Sequence, residues 1–257
     1  MAAVLALPWQ GLAAVTGAVV LAGLWEWTAL AGWGHRPLAR ALYLVVCAAA
    51  LAGIAVLDAD WHRIVVAIGV VWWLGAFAYV LAYQRDAVTP GQWPGAVWAV
   101  LGAFVVIPAW CALMAIHRVP EHGPGLVLIL MIMIWMADIG AYFAGRRFGQ
   151  HKLASRVSPG KSWEGVAGGA VASLAAAGLY LLLVPWAPVL AFVGLAVVTV
   201  VVSVLGDLTE SLFKRISGNK DSGSLLPGHG GILDRIDSLT AAAPFFALGL
   251  VVLGAGT

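Results

Sequence analysis

Long hydrophobic runs alternate with short polar connections along the whole chain. Eight of these runs are close to the roughly 20 apolar residues that a helix needs to cross a bilayer. They cover residues 11–33, 40–57, 63–83, 95–116, 124–144, 164–184, 187–206 and 238–254. Pro185 and Pro188 separate the sixth run from the seventh, because proline interrupts a helix. The pattern predicts an all-α, polytopic integral membrane protein with eight transmembrane helices.

Composition and charge agree with this prediction. Of the 257 residues, 62% are hydrophobic and 10% are charged, whereas soluble domains carry about 25% charged residues. The first ten residues contain no Lys or Arg, so the basic region of a secretory signal is missing and we expect the first run to be retained. With eight spans, twelve Lys and Arg residues fall on one side, and Arg63 and Arg118 fall on the other. The positive-inside rule makes the richer side cytoplasmic.

The first polar stretch begins at Asp138, inside the fifth run. A carboxylate at that depth usually faces a polar cavity or a charged partner. Tyr142 follows four residues later on the same helical face. The alternative is an ion pair with Arg146 or Arg147 that only ends the helix.

A hydroxyl- and glycine-containing turn follows at 158–162, which reads Ser-Pro-Gly-Lys-Ser. Lys161 stands just before an apolar helix that starts near Glu164. A lysine beside the free N–H groups of a helix N-terminus is typical of an anion site. The alternative is a plain turn whose hydroxyl caps the helix.

The second polar stretch follows the seventh run. Asp207, Glu210, Ser211 and Lys214 recur at helical spacing, so they share one face of a helix that extends this span out of the membrane. Taken alone, the same spacing also fits a solvated helix face. The chain continues through Lys220 and a glycine-rich turn around His229 to the last span. His229 by itself is more typical of a structural histidine.

Four aspartates lie within 31 residues of this second stretch, mixed with basic residues: Asp207, Asp221, Asp234 and Asp237. Mg²⁺ typically binds one or two carboxylates together with substrate phosphates, and Lys and Arg bind phosphate oxygens. The pattern therefore predicts metal-assisted chemistry on a phosphorylated, nucleotide-type substrate.

The same residues resemble a known family. Ser211-Leu-Phe-Lys-Arg, Lys220-Asp221 and residues 227–237 are similar to the signature of the CDP-diacylglycerol synthases, also called phosphatidate cytidylyltransferases. Residues 138–165 resemble the preceding loop of that family, with Ser162 where the family often has Thr. The resemblance covers 138–237 closely, whereas 1–120 match only as hydrophobic spans.

The resemblance implies nucleotidyl transfer, in which CTP and phosphatidic acid give CDP-diacylglycerol and pyrophosphate with Mg²⁺, or alternatively Mn²⁺, as cofactor. The catalytic residues implied are Asp207, Lys214, Arg215, Lys220, Asp221, Asp234, Arg235 and Asp237. The four aspartates among them are the expected metal ligands. The substrate-binding residues implied are Asp138, Tyr142, Arg146, Ser158, Lys161, Ser162, Glu164, Ser211, His229, Gly230 and Gly231.

The resemblance also implies phospholipid biosynthesis in a bacterial-type inner (plasma) membrane, with the active site facing the cytoplasm. We expect residues 1–120 to form the N-terminal transmembrane helices and residues 121–257 to form the catalytic region. The expected partners are CTP, phosphatidic acid and membrane lipid, with no nucleic acid. A homodimer is left open beside a monomer.

Two other functions stay open at this point. A CTP-dependent kinase for a polyprenol-type lipid would transfer the γ-phosphoryl group and release CDP. An ion-coupled transporter would use Asp138 and Glu26 as its intramembrane carboxylates, but no pair of broken spans recurs in two matching halves. We interpret Glu26 as an interfacial residue without a role.

Overall fold

Eight long helices make up most of the structure, a computed structural model that describes residues 2–89, 91, 93–218, 223, 225 and 230–255. After the short helix α1 (Ala2–Ala6), they are α2 (Trp9–Leu30), α3 (Pro37–Ala55), α4 (Ala59–Gln84), α5 (Gly95–His117), α6 (Gly123–Phe148), α7 (Trp163–Leu183), α8 (Val189–Ile216) and α9 (Leu233–Val252). Each of the eight is long and apolar enough to cross a membrane. The predicted all-α polytopic membrane fold is therefore confirmed.

Several of these helices extend past the apolar runs that predicted them, and α8 and α9 do so by the largest margins. α8 continues to Ile216, as the spacing of Asp207 and Lys214 indicated. α9 begins at Leu233, whereas the apolar run began at 238. Aspartates in the first turns of α9 lower the local hydropathy, so the run underestimates the helix. Carboxylates are nevertheless favourable there, because they face the positive end of the helix dipole.

The chain reverses direction at each connection between long helices, so even-numbered helices end where odd-numbered ones begin. We call this the polar end of the bundle, the end at which α6 stops at Phe148 and α9 starts at Leu233. There, Lys214 on α8 lies 2.8 Å from Asp234 on α9. At the opposite end, Arg118 lies 3.4 Å from Nε2 of His62. The packing separates the connections into the two sets that the charge pattern predicted.

Small residues allow α6 and α7 to approach closely near the polar end. A Cβ atom on Gly140 would lie 2.5 Å from the carbonyl oxygen of Gly168, and one on Gly169 would lie 2.5 Å from that of Ala137. Side chains larger than hydrogen would force the helices apart. Contacts between small residues are a common way to pack membrane helices. Here they bring Asp138 and Tyr142 on α6 up to the start of α7.

An aromatic cluster joins α2, α5 and α8 at the same end. The ring of Trp27 lies 5.4 Å from that of Phe213, and Trp98 lies 5.9 Å from Phe213, both edge to face. Trp27 also donates a hydrogen bond from Nε1 to the carbonyl oxygen of Trp98 at 2.6 Å. Such aromatic pairs contribute about 0.5–1.5 kcal/mol each beyond the area they bury. The cluster fixes the end of α2 against the helix that carries Asp207 and Lys214.

A two-stranded antiparallel hairpin connects α6 to α7, where the sequence predicted a turn. Strand β1 (Lys152–Ala154) pairs with β2 (Ser158–Ser162), with Lys152 opposite Ser162 and Ala154 opposite Ser158. Arg156 donates to the carbonyl oxygen of Tyr83 at 2.9 Å and ties the hairpin to the end of α4. Neither interpretation of the 158–162 segment included this strand pairing, because it depends on long-range contacts that local spacing does not encode.

Candidate active site

A cavity of about 270 Å³ opens at the polar end between α6, α7 and α8. Glycine, alanine and valine form most of its walls. Its polar lining residues are Asp138, Tyr142, Lys161, Ser162, Ser203, Asp207 and Ser238. Five of these side chains were predicted as site residues, and they come from α6, α8 and the hairpin.

Asp138 lines this cavity, close to opposite and like charges. Its electrostatic neighbours are the carboxylate of Asp207 and the ammonium group of Lys161. Arg146 instead donates to the hydroxyl of Tyr142 at 2.9 Å. Among the described residues, neither Arg146 nor Arg147 forms an ion pair with Asp138. The structure therefore contradicts the alternative in which Asp138 pairs with Arg146 or Arg147 and only ends the helix.

Lys161 and Asp207 form an ion pair across the cavity, from β2 to α8. Their side chains are 25% and 30% exposed, so both remain partly accessible from the cavity. Ser211 donates its hydroxyl to the other oxygen of Asp207 at 3.4 Å. The pair places a cation and a carboxylate side by side, and these are groups that bind phosphate oxygens and Mg²⁺, respectively.

Lys214 lies between two carboxylates at the junction of α8 and α9. Its ammonium nitrogen is 3.3 Å from Glu210 and 2.8 Å from Asp234. The backbone N–H of Gly231 donates to Asp234 at 3.0 Å. Glu210 is almost fully buried, and its burial excludes the interpretation of this helix face as merely solvated. Sequence reasoning gave Glu210 no role, although its spacing of four residues from Lys214 is the signal of an ion pair.

Asp237 lies one turn farther along α9, near the first cavity. Its carboxylate is close enough to Asp207 for the two to repel each other, and Lys161 and Lys214 supply opposing positive charge. Gly206 allows α8 and α9 to cross closely here. A Cβ atom on Gly206 would lie only 2.6 Å from that of Ala241. The close crossing brings the aspartates of both helices to one place.

A second cavity, of about 380 Å³, lies between α6 and α9 and adjoins the first at Asp138 and Ser238. Asp234, Arg235 and Asp237 line it at the polar end. Its remaining walls are mostly apolar and include Met131, Ile134 and Trp135. Such a lining suits a molecule with a charged head and a hydrocarbon body.

Several predicted site residues have other partners in the structure. Ser162 caps α7 by accepting a hydrogen bond from the N–H of Gly165 at 3.1 Å, so the predicted helix cap is present beside the cavity. Glu164 accepts hydrogen bonds from the N–H groups of Gln150 and His151, both at 3.2 Å, and so closes the loop after α6.

The hairpin accounts for two more of these residues. Arg215 donates through Nε to the carbonyl oxygen of Val157 and so holds the hairpin against α8. Ser158 lies at the start of β2, where it pairs with Ala154. Gly230 has a φ of +83°, which glycine adopts without strain. Lys220, Asp221 and His229 lie outside the described residues.

Glu26 corrects one interpretation of the sequence. The interpretation as an interfacial residue was wrong, because Glu26 is only 3% exposed. Its two oxygens accept hydrogen bonds from the backbone N–H groups of Leu225 at 3.3 Å and Leu233 at 3.0 Å. The local pattern of α2 could not show this, because the partners lie about two hundred residues later in the chain.

Among the described residues, no three His, Cys, Asp or Glu side chains are grouped closely enough to hold a metal by themselves. Mg²⁺ does not need such a group, because it commonly uses one or two carboxylates, substrate phosphates and waters. Asp207 and Asp237 offer a suitable pair of carboxylates from two helices. The donor set therefore fits a magnesium ion that binds together with a nucleotide.

Comparison with known proteins decides the family. The model of the cytidylyltransferase family matches residues 1–253. The chain belongs to this family. It is a nucleotidyltransferase, and the resemblance found in the motifs extends over the N-terminal helices as well.

Relatives of this cytidylyltransferase include bacterial proteins named phosphatidate cytidylyltransferase. The one from Pseudomonas aeruginosa is 48% identical over 245 residues, which cover 93% of this chain and 88% of the relative. The one from Haemophilus influenzae is 42% identical over 257 residues, covering 90% and 86% of the two chains. A third, from Brucella suis, is 42% identical over 158 residues, covering 61% and 58%. These names favour neither the lipid kinase nor the transporter.

Proposed function

We propose that this enzyme transfers the cytidylyl group of CTP to phosphatidate, forming CDP-diacylglycerol and releasing pyrophosphate. The observation that carries the proposal is the pair of adjoining cavities. The first, which we call the polar cavity because it holds the ion pair of Lys161 and Asp207, opens beside the hairpin and the start of α7. The second combines the charged residues Asp234, Arg235 and Asp237 with apolar walls. A water-soluble nucleotide and a lipid phosphate can thus meet at Asp138 and Ser238, which line both cavities.

In this reaction a phosphate oxygen of phosphatidate attacks the α-phosphorus of CTP. A new P–O bond forms, and the bond from the α-phosphorus to the oxygen bridging to the β-phosphorus breaks. Pyrophosphate leaves with that electron pair. The phosphate of phosphatidate is already ionised near neutral pH, so the step needs no strong base. Catalysis depends on positioning the two anions and on offsetting their repulsion.

The polar cavity suits the CTP phosphates. Lys161 exchanges its contact with Asp207 for a phosphate oxygen, which frees the carboxylate. The N-terminus of α7, beside Ser162, adds the positive end of a helix dipole. Ser158 does not share this role in our proposal, because it lies at the far end of β2 from Lys161.

The cavity between α6 and α9 suits phosphatidate. Arg235 lines the charged end of this cavity and would contact the lipid phosphate. Met131, Ile134 and Trp135 continue the cavity toward the apolar part of α6. Lys214, held by Glu210 and Asp234, contributes positive charge next to Asp234, which lines the charged end of this cavity.

Asp207 and Asp237 would hold Mg²⁺, with Mn²⁺ as an alternative. The ion supplies charge neutralisation at the phosphates of CTP when bound. Asp221 and Asp234 stay predicted ligands, and Asp234 contacts Lys214 in the structure.

We further propose that the polar end faces the cytoplasm of a bacterial inner membrane. The connections at that end carry most of the basic residues, which the positive-inside rule assigns to the cytoplasmic side. CTP, a cytoplasmic nucleotide, then reaches the polar cavity directly. A homodimer stays a prediction, which the mass of the detergent-solubilised protein would check.

The test uses purified protein in mixed micelles with CTP, Mg²⁺ and phosphatidate. We expect stoichiometric CDP-diacylglycerol and pyrophosphate, and neither product when phosphatidate is omitted. Release of CDP with a polyprenol as acceptor would contradict the proposal and favour the kinase.

A further inference from the structure

Glu26 is a buried carboxylate that belongs to none of the predicted motifs. It lies near the end of α2 and is 3% exposed. Burying an ionised carboxylate is costly unless hydrogen-bond donors or positive charge compensate it. The residue therefore requires partners, and those partners identify what it does.

One partner is the first turn of α9. Leu233, the first residue of that helix, donates its backbone N–H to Oε2 of Glu26 at 3.0 Å. The first four N–H groups of a helix have no partner inside the helix. Ile232, at the capping position, forms no side-chain capping bond. Glu26 thus caps α9 from another helix, and its charge faces the positive end of the helix dipole.

The other partner is the connection between α8 and α9. Leu225 donates its N–H to Oε1 of Glu26 at 3.3 Å. Gly223 lies directly against the carboxylate, because a Cβ atom there would overlap the Glu26 side chain. One carboxylate therefore contacts Gly223 and Leu225 of the connection as well as the helix that follows it.

The helix that Glu26 caps carries the site's aspartates. Asp234 immediately follows the capped residue and contacts Lys214 at 2.8 Å. Asp237 lies one turn later, where a Cβ atom on Gly206, the residue before Asp207, would lie 3.0 Å from its carbonyl oxygen. The anchoring end of α2 is itself fixed, because the neighbouring Trp27 packs on Phe213 of α8. A change at Glu26 would shift the start of α9, and Asp237 with it, relative to Asp207.

We infer that Glu26 is a positioning residue for cytidylyl transfer, acting through the start of α9 on Asp234 and Asp237. The inference rests on the proposed function, since it assumes that these aspartates serve the reaction. It assigns a role to the N-terminal helices, which the sequence motifs do not reach.

The main test compares Glu26→Gln with the wild-type enzyme in detergent. Glutamine has the same shape, but it loses the charge and presents an NH₂ group to a backbone donor. We expect kcat to fall about 10- to 100-fold, the range for lost charge-assisted hydrogen bonds and for misplacing reacting groups by about 1 Å. At saturating Mg²⁺, the KM values for CTP and phosphatidate should stay within about twofold.

The concentration of Mg²⁺ at half-maximal activity distinguishes positioning from simple instability. Separating Asp237 from Asp207 should raise this Mg²⁺ concentration at least about fivefold. Changing residues that orient metal ligands typically lowers metal affinity or activity about 10- to 100-fold. Partial unfolding would lower the active fraction without moving this concentration. An unchanged Mg²⁺ dependence in a folded Glu26→Gln enzyme would overturn the inference.

A second variant and a control complete the test. Gly223→Ala would press a methyl group against the Glu26 carboxylate. It should therefore also lower kcat and raise the Mg²⁺ concentration at half-maximal activity. This variant tests the inference if Glu26→Gln does not fold. Asp60→Asn, at an exposed carboxylate paired with Arg63 at the opposite end, should behave as wild type.

Amide hydrogen exchange gives a readout independent of activity. The N–H of Leu233 should exchange faster in Glu26→Gln than in the wild type, and unchanged exchange would contradict the capping role. If the wild type itself makes no CDP-diacylglycerol, the proposed function fails, whereas the exchange result still reports on the cap.

Discussion

Replacing Lys161 by alanine tests how the polar cavity handles CTP. In the structure Lys161 pairs with Asp207 across the cavity. In our account, CTP takes over the lysine and the carboxylate becomes available to a metal ion. The variant should therefore weaken CTP binding more than phosphatidate binding.

Two opposing interactions set the size of this effect. A hydrogen bond between a lysine and a phosphate contributes about 1.5–3 kcal/mol. CTP must first separate Lys161 from Asp207, whose side chains are 25% and 30% exposed. Ion pairs that are accessible to solvent contribute about 0–1 kcal/mol. The phosphate contact is the stronger interaction, and the difference of about 0.5–3 kcal/mol corresponds to about a 2- to 150-fold higher KM for CTP.

The assay measures initial rates of CDP-diacylglycerol formation while CTP and phosphatidate are varied in turn. Lys152→Ala is the matched control, because Lys152 lies on the other strand of the same hairpin and is exposed. It should leave both KM values near those of the wild type. If Lys161→Ala raised only the KM for phosphatidate, the two cavities would have to exchange substrates.

Two further predictions concern the metal ligands and the orientation. Asp237→Asn should lower kcat about 100-fold or more while the protein stays folded, because a neutral amide cannot replace a carboxylate beside Mg²⁺. Activity of the wild type that persisted in excess chelator would contradict the metal requirement. A cysteine at Ser155, on the exposed hairpin, should resist a membrane-impermeant thiol reagent in intact cells and react after lysis; reaction in intact cells would reverse the proposed orientation.

The sequence was sufficient to predict the helices and the membrane setting. Hydropathy and helical spacing are local properties, and both survive in the folded bundle. α8 extends to Ile216 as the spacing of Asp207 and Lys214 indicated. Asp138 stands out in the sequence because a carboxylate within an apolar run is costly unless it faces a polar cavity or a charged partner. In the structure it lines the polar cavity.

The contacts between distant segments were not predictable in the same way. Glu26 looks interfacial in the sequence because its partners, Leu225 and Leu233, lie about two hundred residues away. The hairpin at 152–162 resembles a turn in the sequence because Arg215 and Tyr83, which anchor it, belong to other helices. Local patterns describe what a segment prefers, whereas these roles depend on which segments the bundle brings together.

The position of the transferred phosphorus tests the central claim most directly. Purified enzyme would be given phosphatidate and Mg²⁺ with CTP carrying ³²P at either the α- or the γ-position. Cytidylyl transfer predicts that the α-label enters the lipid product and that the γ-label appears in pyrophosphate. Lipid labelled from the γ-position, with the α-label left in CDP, would contradict the account.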